Sequence, residues 1–590
     1  MRKRKGADIV SSMFFSASVA MIFTQVAGVV ANIVDGVLAS RYLGTDVYSA
    51  ISLLGPFAGT LVLLAAFLST GSQVVCSRLI GKGRQEEANK VFSAALVITF
   101  VLAFLLVSGC VIFPKQLISI CGVSVRKNHE IYPEMLGYLR GYMIGIPALM
   151  AVQVLGPMVV MDGGKKLFTL SAVMLCLVDI VGDLLNVTVF RGGSFGMGLA
   201  TSAAFLLQLV VLQMHYRNGN GYFRFSLRGI KMDELREVAR AGSPTFVRKL
   251  ATILRDLLIN RMNLAIALST AAVAARGVQN DLNILMFCIG LGVGKTLLSM
   301  TGIYYGVRDR KGLNRLFAAA MKTGIQLSGV ACVICFFLAR FIADFYTDDP
   351  EVIALSVFAI RCMAVSLILD TVLVAFQNYL QGTGNRKLVN IMNFGERLFI
   401  PVLTALVMGR FFGSRGIMAS IAVSKGLLGI LMFVLVCLHC HRFPRSWEDF
   451  MFLPAGFGGS EADSMDAELY TMEDVIRERD LAEQFCLRHG TGKKKALTMG
   501  LFVEEMAGNI IQHGKARRHG AVCVDYRLYV HDNRICLSLR DYCEAFDPTE
   551  YRGTDGNRIE PRGIPMVMGM AKEVRYYNTF NSNCLLLYLN

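Results

Sequence analysis

Charge is what this chain has little of. Only 18% of its 590 residues are Asp, Glu, Lys or Arg, against about 25% in an ordinary soluble domain, and it holds a single Trp. Hydrophobic residues make up 54%, and the mean hydropathy is +0.50. These values exclude the soluble class for the first three quarters of the chain. Its fifteen cysteines are scattered, many within apolar runs where Cys behaves as a small hydrophobe, so no disulfide framework is expected. Nor is a cleaved leader. Met1-Arg2-Lys3-Arg4-Lys5 resembles a signal-peptide n-region, but no small-residue cleavage site ends the apolar stretch that follows, which should stay as the first helix.

What is there, instead, is long apolar runs. A membrane-spanning helix needs about 20 mostly apolar residues. Twelve such stretches occur, at 14–36, 47–76, 92–113, 132–160, 168–190, 195–215, 244–267, 271–300, 317–345, 352–380, 388–411 and 415–440. Basic residues recur on alternate connections: Arg78-Lys82-Arg84-Lys90, Lys165-Lys166, Arg217 to Arg240, Arg308-Arg310-Lys311-Arg315, Arg386-Lys387 and His441-Arg442-Arg445. The positive-inside rule puts these loops and both termini in the cytoplasm of a multi-pass protein of the cell inner or plasma membrane. Opposite connections such as Thr347-Asp348-Asp349-Pro350-Glu351 are acidic, although Arg410 and Arg415 go against the trend. The net charge of +16 is thus mostly topology with some attraction to anionic membrane lipid, and nucleic acid is not an expected partner.

Two suggestive strings lose their meaning in context. Cys437-Leu438-His439-Cys440-His441 spells a covalent haem site, but on the cytoplasmic side, where such attachment does not occur. Gly290-Leu291-Gly292-Val293-Gly294-Lys295-Thr296 echoes a phosphate loop, yet its first glycine is misplaced and no strand precedes it. Glycines there are expected to let helices pack closely. More informative is an internal repeat: a shift of 225 superposes Leu43 on Leu268, Thr45 on Thr270, Ala50 on Ala275, Gly81 on Gly306, Asn89 on Asn314 and Phe92 on Phe317. Parallel repeats of this kind build transporters whose two lobes rock around a central site.

Val34-Asp35-Gly36, Tyr42-Leu43-Gly44-Thr45, Val160-Met161-Asp162-Gly163-Gly164-Lys165 and Gly196-Met197-Gly198-Leu199-Ala200-Thr201 resemble the N-terminal lobe of the multidrug and toxic compound extrusion (MATE) transporters. Gln381-Gly382-Thr383-Gly384-Asn385 and Gly413-Ser414-Arg415-Gly416-Ile417 resemble the second lobe. The resemblance implies an all-α, V-shaped pair of six-helix lobes, 1–222 and 223–445, that exports small organic, often cationic, compounds in exchange for protons or sodium ions. Intramembrane carboxylates test that implication. An ionised Asp near the bilayer centre costs at least about 2.5–3.5 kcal/mol and marks a functional candidate. Asp35, Asp179 and Asp183 are such residues; Asp179 and Asp183 share a helical face with Asn186 close to it, and Asn32 lies three before Asp35. Facing carboxylates at low dielectric cannot all ionise cheaply, which favours reversible protonation. The family's first-lobe proton site maps onto Asp35, Asp179 and Asp183, with Asp179 standing where Asn is usual. A second-lobe sodium site, as some members have, would fall to Asp256 and Asp281.

After His441 the composition changes. Residues 446–466 read as a flexible acidic linker, and 467–590 as a compact α+β domain with helices at 473–489, 494–513 and 563–571 and strands at 521–530, 534–540, 573–578 and 584–589. Leu501 to Gly514, with Glu504-Glu505-Met506-Ala507-Gly508-Asn509 at its centre, resembles the box of the GHKL (Bergerat-fold) ATPases, closest to the anti-sigma-factor serine kinases. The resemblance gives Asn509 the magnesium of Mg-ATP, Glu505 the general base, Asp541 the adenine, and Arg562-Gly563-Ile564-Pro565 the phosphates. Two departures weaken turnover: Cys543 replaces the usual Asp-x-Gly glycine, and the phosphate segment keeps only Gly563 and Gly569. The reading favoured is an ion-coupled exporter, not an enzyme, whose tail regulates it. The alternative is a membrane-anchored signalling protein whose tail phosphorylates or sequesters a cytoplasmic regulatory protein.

Overall fold

The computed structural model describes residues 9–121, 123, 130–217, 221–226, 232–266, 270–454, 456–458, 461–515, 522–531, 534–551 and 563–589. It divides into two compact units. One comprises Met1–Arg78, Glu86–Val160 and Gly164–Phe452, and the other Leu453–Asn590 with the short stretches Leu79–Gln85 and Met161–Gly163.

The first unit is helical. Its first lobe runs α1 (Ile9–Leu38), α2 (Thr45–Leu53), α3 (Gly55–Gly81), α4 (Gln85–Ile112), α5 (Pro114–Ile120), α6 (Ile131–Tyr142), α7 (Ile146–Met161), α8 (Lys165–Leu185) and α9 (Gly193–Arg217). The second runs α10 (Met232–Ile266), α11 (Thr270–Gly306), α12 (Arg310–Phe337), α13 (Ala339–Tyr346), α14 (Pro350–Thr383), α15 (Arg386–Phe394) and α16 (Ile400–Cys440). The repeat appears in the element bounds themselves. Thr45 and Gly81 answer Thr270 and Gly306, and both ends of α4 answer both ends of α12, all displaced by 225. Outward-facing Phe104, Phe341, Phe345 and Phe411 are 70–84% exposed, the lipid-facing surface of membrane helices.

Ten helices among the described residues are long and apolar enough to cross a membrane, where twelve were expected. Two features account for the difference. The helix α10 carries Arg248, Lys249, Arg255 and Asp256 and is too polar on composition alone. The stretch Arg386–Cys440 counts as one 55-residue element. At ~1.5 Å per residue that is roughly 80 Å, well beyond the ~30 Å of hydrocarbon. Its backbone breaks at Gly413, with φ 60° and ψ −142°, a conformation that favours glycine.

The two lobes meet through small and polar side chains. Gln73 of α3 donates to Ser299 of α11 at 2.5 Å, Thr70 to Thr245 of α10 at 2.9 Å, and Arg78 to the Gly382 carbonyl of α14 at 2.8 Å. The phosphate-loop echo lies inside α11, where a Cβ on Gly292 would sit 2.4 Å from Ile22 of α1; its glycines permit helix contact. The single Trp, Trp447, lies beyond α16 with its ring 6.1 Å from Phe317 of α12 and 6.0 Å from Phe450. All fifteen cysteines are free.

The second unit is an antiparallel sheet of order β1-β2-β3-β5-β4, where β1 is Ser464–Leu469, β2 Val524–His531, β3 Arg534–Asp541, β4 Glu573–Thr579 and β5 Ser582–Leu589. Helices α17 (Met472–Arg488), α18 (Lys493–His513) and α19 (Gly563–Met570) complete it, around a core that includes Phe502, Val503, Leu528, Leu537 and Leu587. The strand β1 begins inside the stretch expected as linker: its acidic residues masked an alternation of Met465, Ala467 and Leu469, which face the core.

Thr471 and Asp474 form a capping box that starts α17. Burial opposes the Asp474 carboxylate, but the Tyr470 amide and the Thr471 hydroxyl and amide outweigh it and hold its pKa below the usual value. That contribution is present above about pH 4 and is lost as pH falls through the lowered value. Thr471→Ala should cost about 1 kcal/mol locally, speeding hydrogen exchange in the first turn of α17 about fivefold; unchanged exchange would show the box to be idle.

Candidate functional site

In the first lobe, α1 packs against α8, and this contact assembles the expected carboxylates. Ligand oxygens of Asp35, Asp179 and Asp183 all lie within 4.8 Å of one another, and all three residues are buried. One oxygen each of Asp35 and Asp179 and both of Asp183 are buried without a hydrogen-bond partner. Asp183 lies eighteen residues beyond Lys165, roughly 27 Å along α8 at ~1.5 Å per residue, so the cluster sits far from the basic end of that helix. Asp179 also lines a cavity of about 410 Å³ with Tyr138, Tyr142, Gln153, Phe205 and, from the second lobe, Lys295. Tyr138 and Tyr142 are stacked at 5.7 Å.

The two asparagines make local hydrogen bonds. Asn32 lines the same cavity, and its amide donates to the Gly28 carbonyl at 2.7 Å. Asn186 closes the turn before α9: its Nδ2 donates to the Gly193 carbonyl and its Oδ1 accepts from the Gly192 amide, each at 3.0 Å. A Cβ on Gly196 would fall 1.8 Å from that Oδ1, which explains a glycine there.

The second lobe holds a different arrangement from the expected Asp256 and Asp281 pair. Asp281 is exposed on α11, and the Asp256 side chain lies outside the described residues. Two buried carboxylates there are Asp370 of α14 and Glu396, in the π-helical turn Gly395–Phe399 that joins α15 to α16. Lys425 bonds to Asp370 and, at 2.7 Å, to Glu396; Arg397 lies 3.1 Å from Glu396 and 3.9 Å from Asp370. Gln377 donates to Glu396, and the Arg397 guanidinium stands 4.8 Å over the Phe287 ring. Sequence reasoning passed over these four charges although each stands in an apolar span, the same signal that singled out Asp35.

In the second unit, α18 and the end of β3 bring Asn509 and Asp541 to one cavity of about 390 Å³, with His513, Cys543, Phe546, Tyr551, Tyr576 and Asn583 in its lining. The Asn509 Nδ2 is buried and lacks a partner. Asp541 Oδ1 accepts from the Cys543 amide and from Asn583 Nδ2, both at 2.8 Å. Glu505 lies outside that lining, against the start of α19: a Cβ on Gly563 would meet its Oε2 at 1.7 Å, so a larger residue there would displace the Glu505 side chain. Cys543 is buried, its Sγ 2.7 Å from where a Cβ on Gly514 would lie. Arg562 lies outside the described residues. Asn583, unforeseen, carries a polar side chain at the start of a mostly apolar strand, and that break in pattern was its signal.

Buried carboxylates on a two-lobed repeat of membrane helices, joined to an ATPase-type α+β domain, define a membrane transporter with a nucleotide-domain tail. The MatE profile matches residues 20–188 and 244–406, more than half of the sequence, and the chain belongs to that family. Residues 470–589 match the Histidine kinase-like ATPase domain. The multidrug export protein MepA of Staphylococcus aureus (strain bovine RF122 / ET3-1) is 23% identical over 72% of this chain and 94% of its own length. MepA of Staphylococcus saprophyticus is 20% identical over 70% and 91%. A multidrug resistance MATE family transporter solved in an outward-facing conformation aligns over 74% of this chain and 98% of its own, with TM-score 0.68 and 20% identity.

Asn583→Leu removes the donor that holds Asp541 Oδ1 and the Glu544 carbonyl. Leaving a buried acceptor short costs about 1–3 kcal/mol. Hydrogen exchange in β3 and β5 should quicken accordingly, and wild-type protection in both strands would refute the tie.

Proposed function

We propose that the chain exports small organic, drug-like compounds by alternating access, driven by protons or sodium ions entering through the first lobe, and that its tail binds Mg-ATP and regulates the cycle. The observation that carries the transport reading is the set of three buried carboxylates within 4.8 Å, in which one oxygen each of Asp35 and Asp179 and both of Asp183 lack a hydrogen-bond partner. Three negative charges cannot share such a space, so the cluster must take up protons or a cation. Releasing that ion when the lobes rearrange links uptake to export, which is what an antiporter requires. The neighbouring cavity supplies stacked tyrosines and Phe205 for an organic molecule. The similarity to proteins named for multidrug export supports the same reading.

For the tail, the unpartnered Asn509 amide on a cavity that also presents Asp541 fits a nucleotide with its metal. Asn509 would hold the magnesium, Asp541 the adenine, and the α19 start at Gly563 the phosphates. Mg-ATP, when bound, would supply a transferable phosphoryl group; Glu505, beside Gly563 and outside the cavity lining, would have to turn towards the phosphates to act as a base. Cys543 in the lining favours a sensing role over turnover. The alternative of a membrane anchor for a signalling kinase leaves three costly intramembrane carboxylates without a use.

Reconstituted vesicles, loaded with a panel of fluorescent organic cations and anions, test the coupling under an imposed pH gradient and, separately, a sodium gradient. Asp35→Asn and Asp183→Asn should each lower gradient-driven efflux at least tenfold; full transport in either variant would overturn the assignment. In the full chain, Asn509→Ala and Asp541→Asn should weaken magnesium-dependent ATP binding about tenfold or more, and absence of such binding in the wild type would sink the nucleotide reading.

A further inference from the structure

The second lobe carries basic side chains that its own carboxylates do not neutralise. Asp370 and Glu396 are already engaged by Lys425 and Arg397. Three further cations stand in the same interior: Arg248 and Lys249 on α10 and Lys295 on α11. All three are half-buried, and among the described residues none makes an ion pair. Arg248 lies within electrostatic reach of Arg397, Glu396 and Asp370, Lys249 of Arg248 and Arg397, and Lys295 of Arg248 and Lys249. The Lys295 ammonium has one polar neighbour, the neutral Gln25 side chain at 3.4 Å, and it reaches the cavity that Asp179 lines. It stands eleven residues before Gly306, roughly 16 Å from that end of α11 at ~1.5 Å per residue, too deep to reach water at the helix end.

Clustered cations in a membrane interior cost free energy unless a negative charge joins them. A monoanion leaves most of this charge uncompensated, whereas a phosphomonoester carries about −1.5 to −2 at neutral pH and offers three acceptor oxygens. One guanidinium and two ammonium groups supply the charge and donors that such a headgroup needs. The cavity that Lys295 reaches is also lined by Met21, Phe57 and Phe205, which suits a hydrocarbon or ring system attached to the headgroup.

We infer that Arg248, Lys249 and Lys295 form a binding site for the phosphate headgroup of an amphiphilic organic anion, which places phosphate-bearing amphiphiles among the compounds the transporter carries. The inference rests on the transporter reading and names a substrate class for it. First-lobe carboxylates and second-lobe cations then serve separate ends, the one binding the coupling ion and the other the cargo.

Equilibrium binding of radiolabelled dodecyl phosphate to the full chain, purified in an uncharged detergent, tests the site. Saturable binding is expected, weakened at least tenfold in Arg248→Gln and in Lys295→Gln and less in the charge-conserving Arg248→Lys. Dodecyltrimethylammonium should not compete. Competition by inorganic phosphate would mark a site that reads the free anion, and competition by phosphatidic acid alone one that reads a lipid headgroup; both outcomes uphold the phosphate site. Equal competition by the ammonium amphiphile would overturn it, as would wild-type binding in variants that stay monodisperse. If Arg248→Gln fails to fold, Lys295→Gln carries the test. Because the measurement needs no gradient, loss of driven efflux with binding intact counts against the coupling assignment alone, and efflux without phosphate binding counts against this inference alone.

Discussion

A charge inside hydrocarbon must find an opposite charge, a proton or water, and the first unit is arranged around that demand. Its apolar helices supply the surface that lipid covers, and they also set the low dielectric in which each buried ionisable group has to be answered. The two lobes answer differently. In the first, three buried carboxylates meet, and among the described residues none of them forms a salt bridge. In the second, Asp370 and Glu396 are held by Lys425 and Arg397, a closed arrangement whose partners cannot leave. The two halves of the repeat thus differ: one gathers carboxylates, and the other neutralises Asp370 and Glu396 with Lys425 and Arg397.

Local backbone geometry follows the same division. Among the described residues, π-helical turns occur at Ala39–Leu43, Asn186–Phe190 and Gly395–Phe399. The first follows Asp35 by one turn, the second follows Asp183, and the third contains Glu396 and Arg397. Such turns widen a helix and re-aim its side chains, and they are frequent at functional sites. Each here sits beside the groups that must be directed inward, so the helix distortion and the buried charge belong to one device.

Much of this was legible because periodicity and cost leave marks in sequence. The apolar runs, the 225-residue repeat and the carboxylates at Asp35, Asp179 and Asp183 could be read without coordinates, as could the helix and strand order of the tail. Other features were hidden for definable reasons. The strand β1 carries acidic residues on its outer face, so composition suggested a linker where alternation indicated pairing. Asn186 shares a helical face with the carboxylates, yet the turn at Gly192 and Gly193 claims its side chain, and no spacing rule announces a turn that folds back. The charges of the second lobe were visible one at a time, but their assembly depends on α14, α16 and the π-turn between α15 and α16 meeting in space. In the tail, Asn509 and Asp541 converge on one cavity while Glu505 faces Gly563, a separation that four-residue spacing on one helix does not reveal.

The single Trp gives the molecule a property that its composition hides. Trp447 rests against Phe317 of α12 and Phe450, next to the end of α16, so the indole emission of the whole chain comes from one place on the second lobe. Any rearrangement that parts α12 from the segment after α16 changes the polarity around that ring. The protein carries its own fluorescent gauge of second-lobe motion, with no background from a second indole.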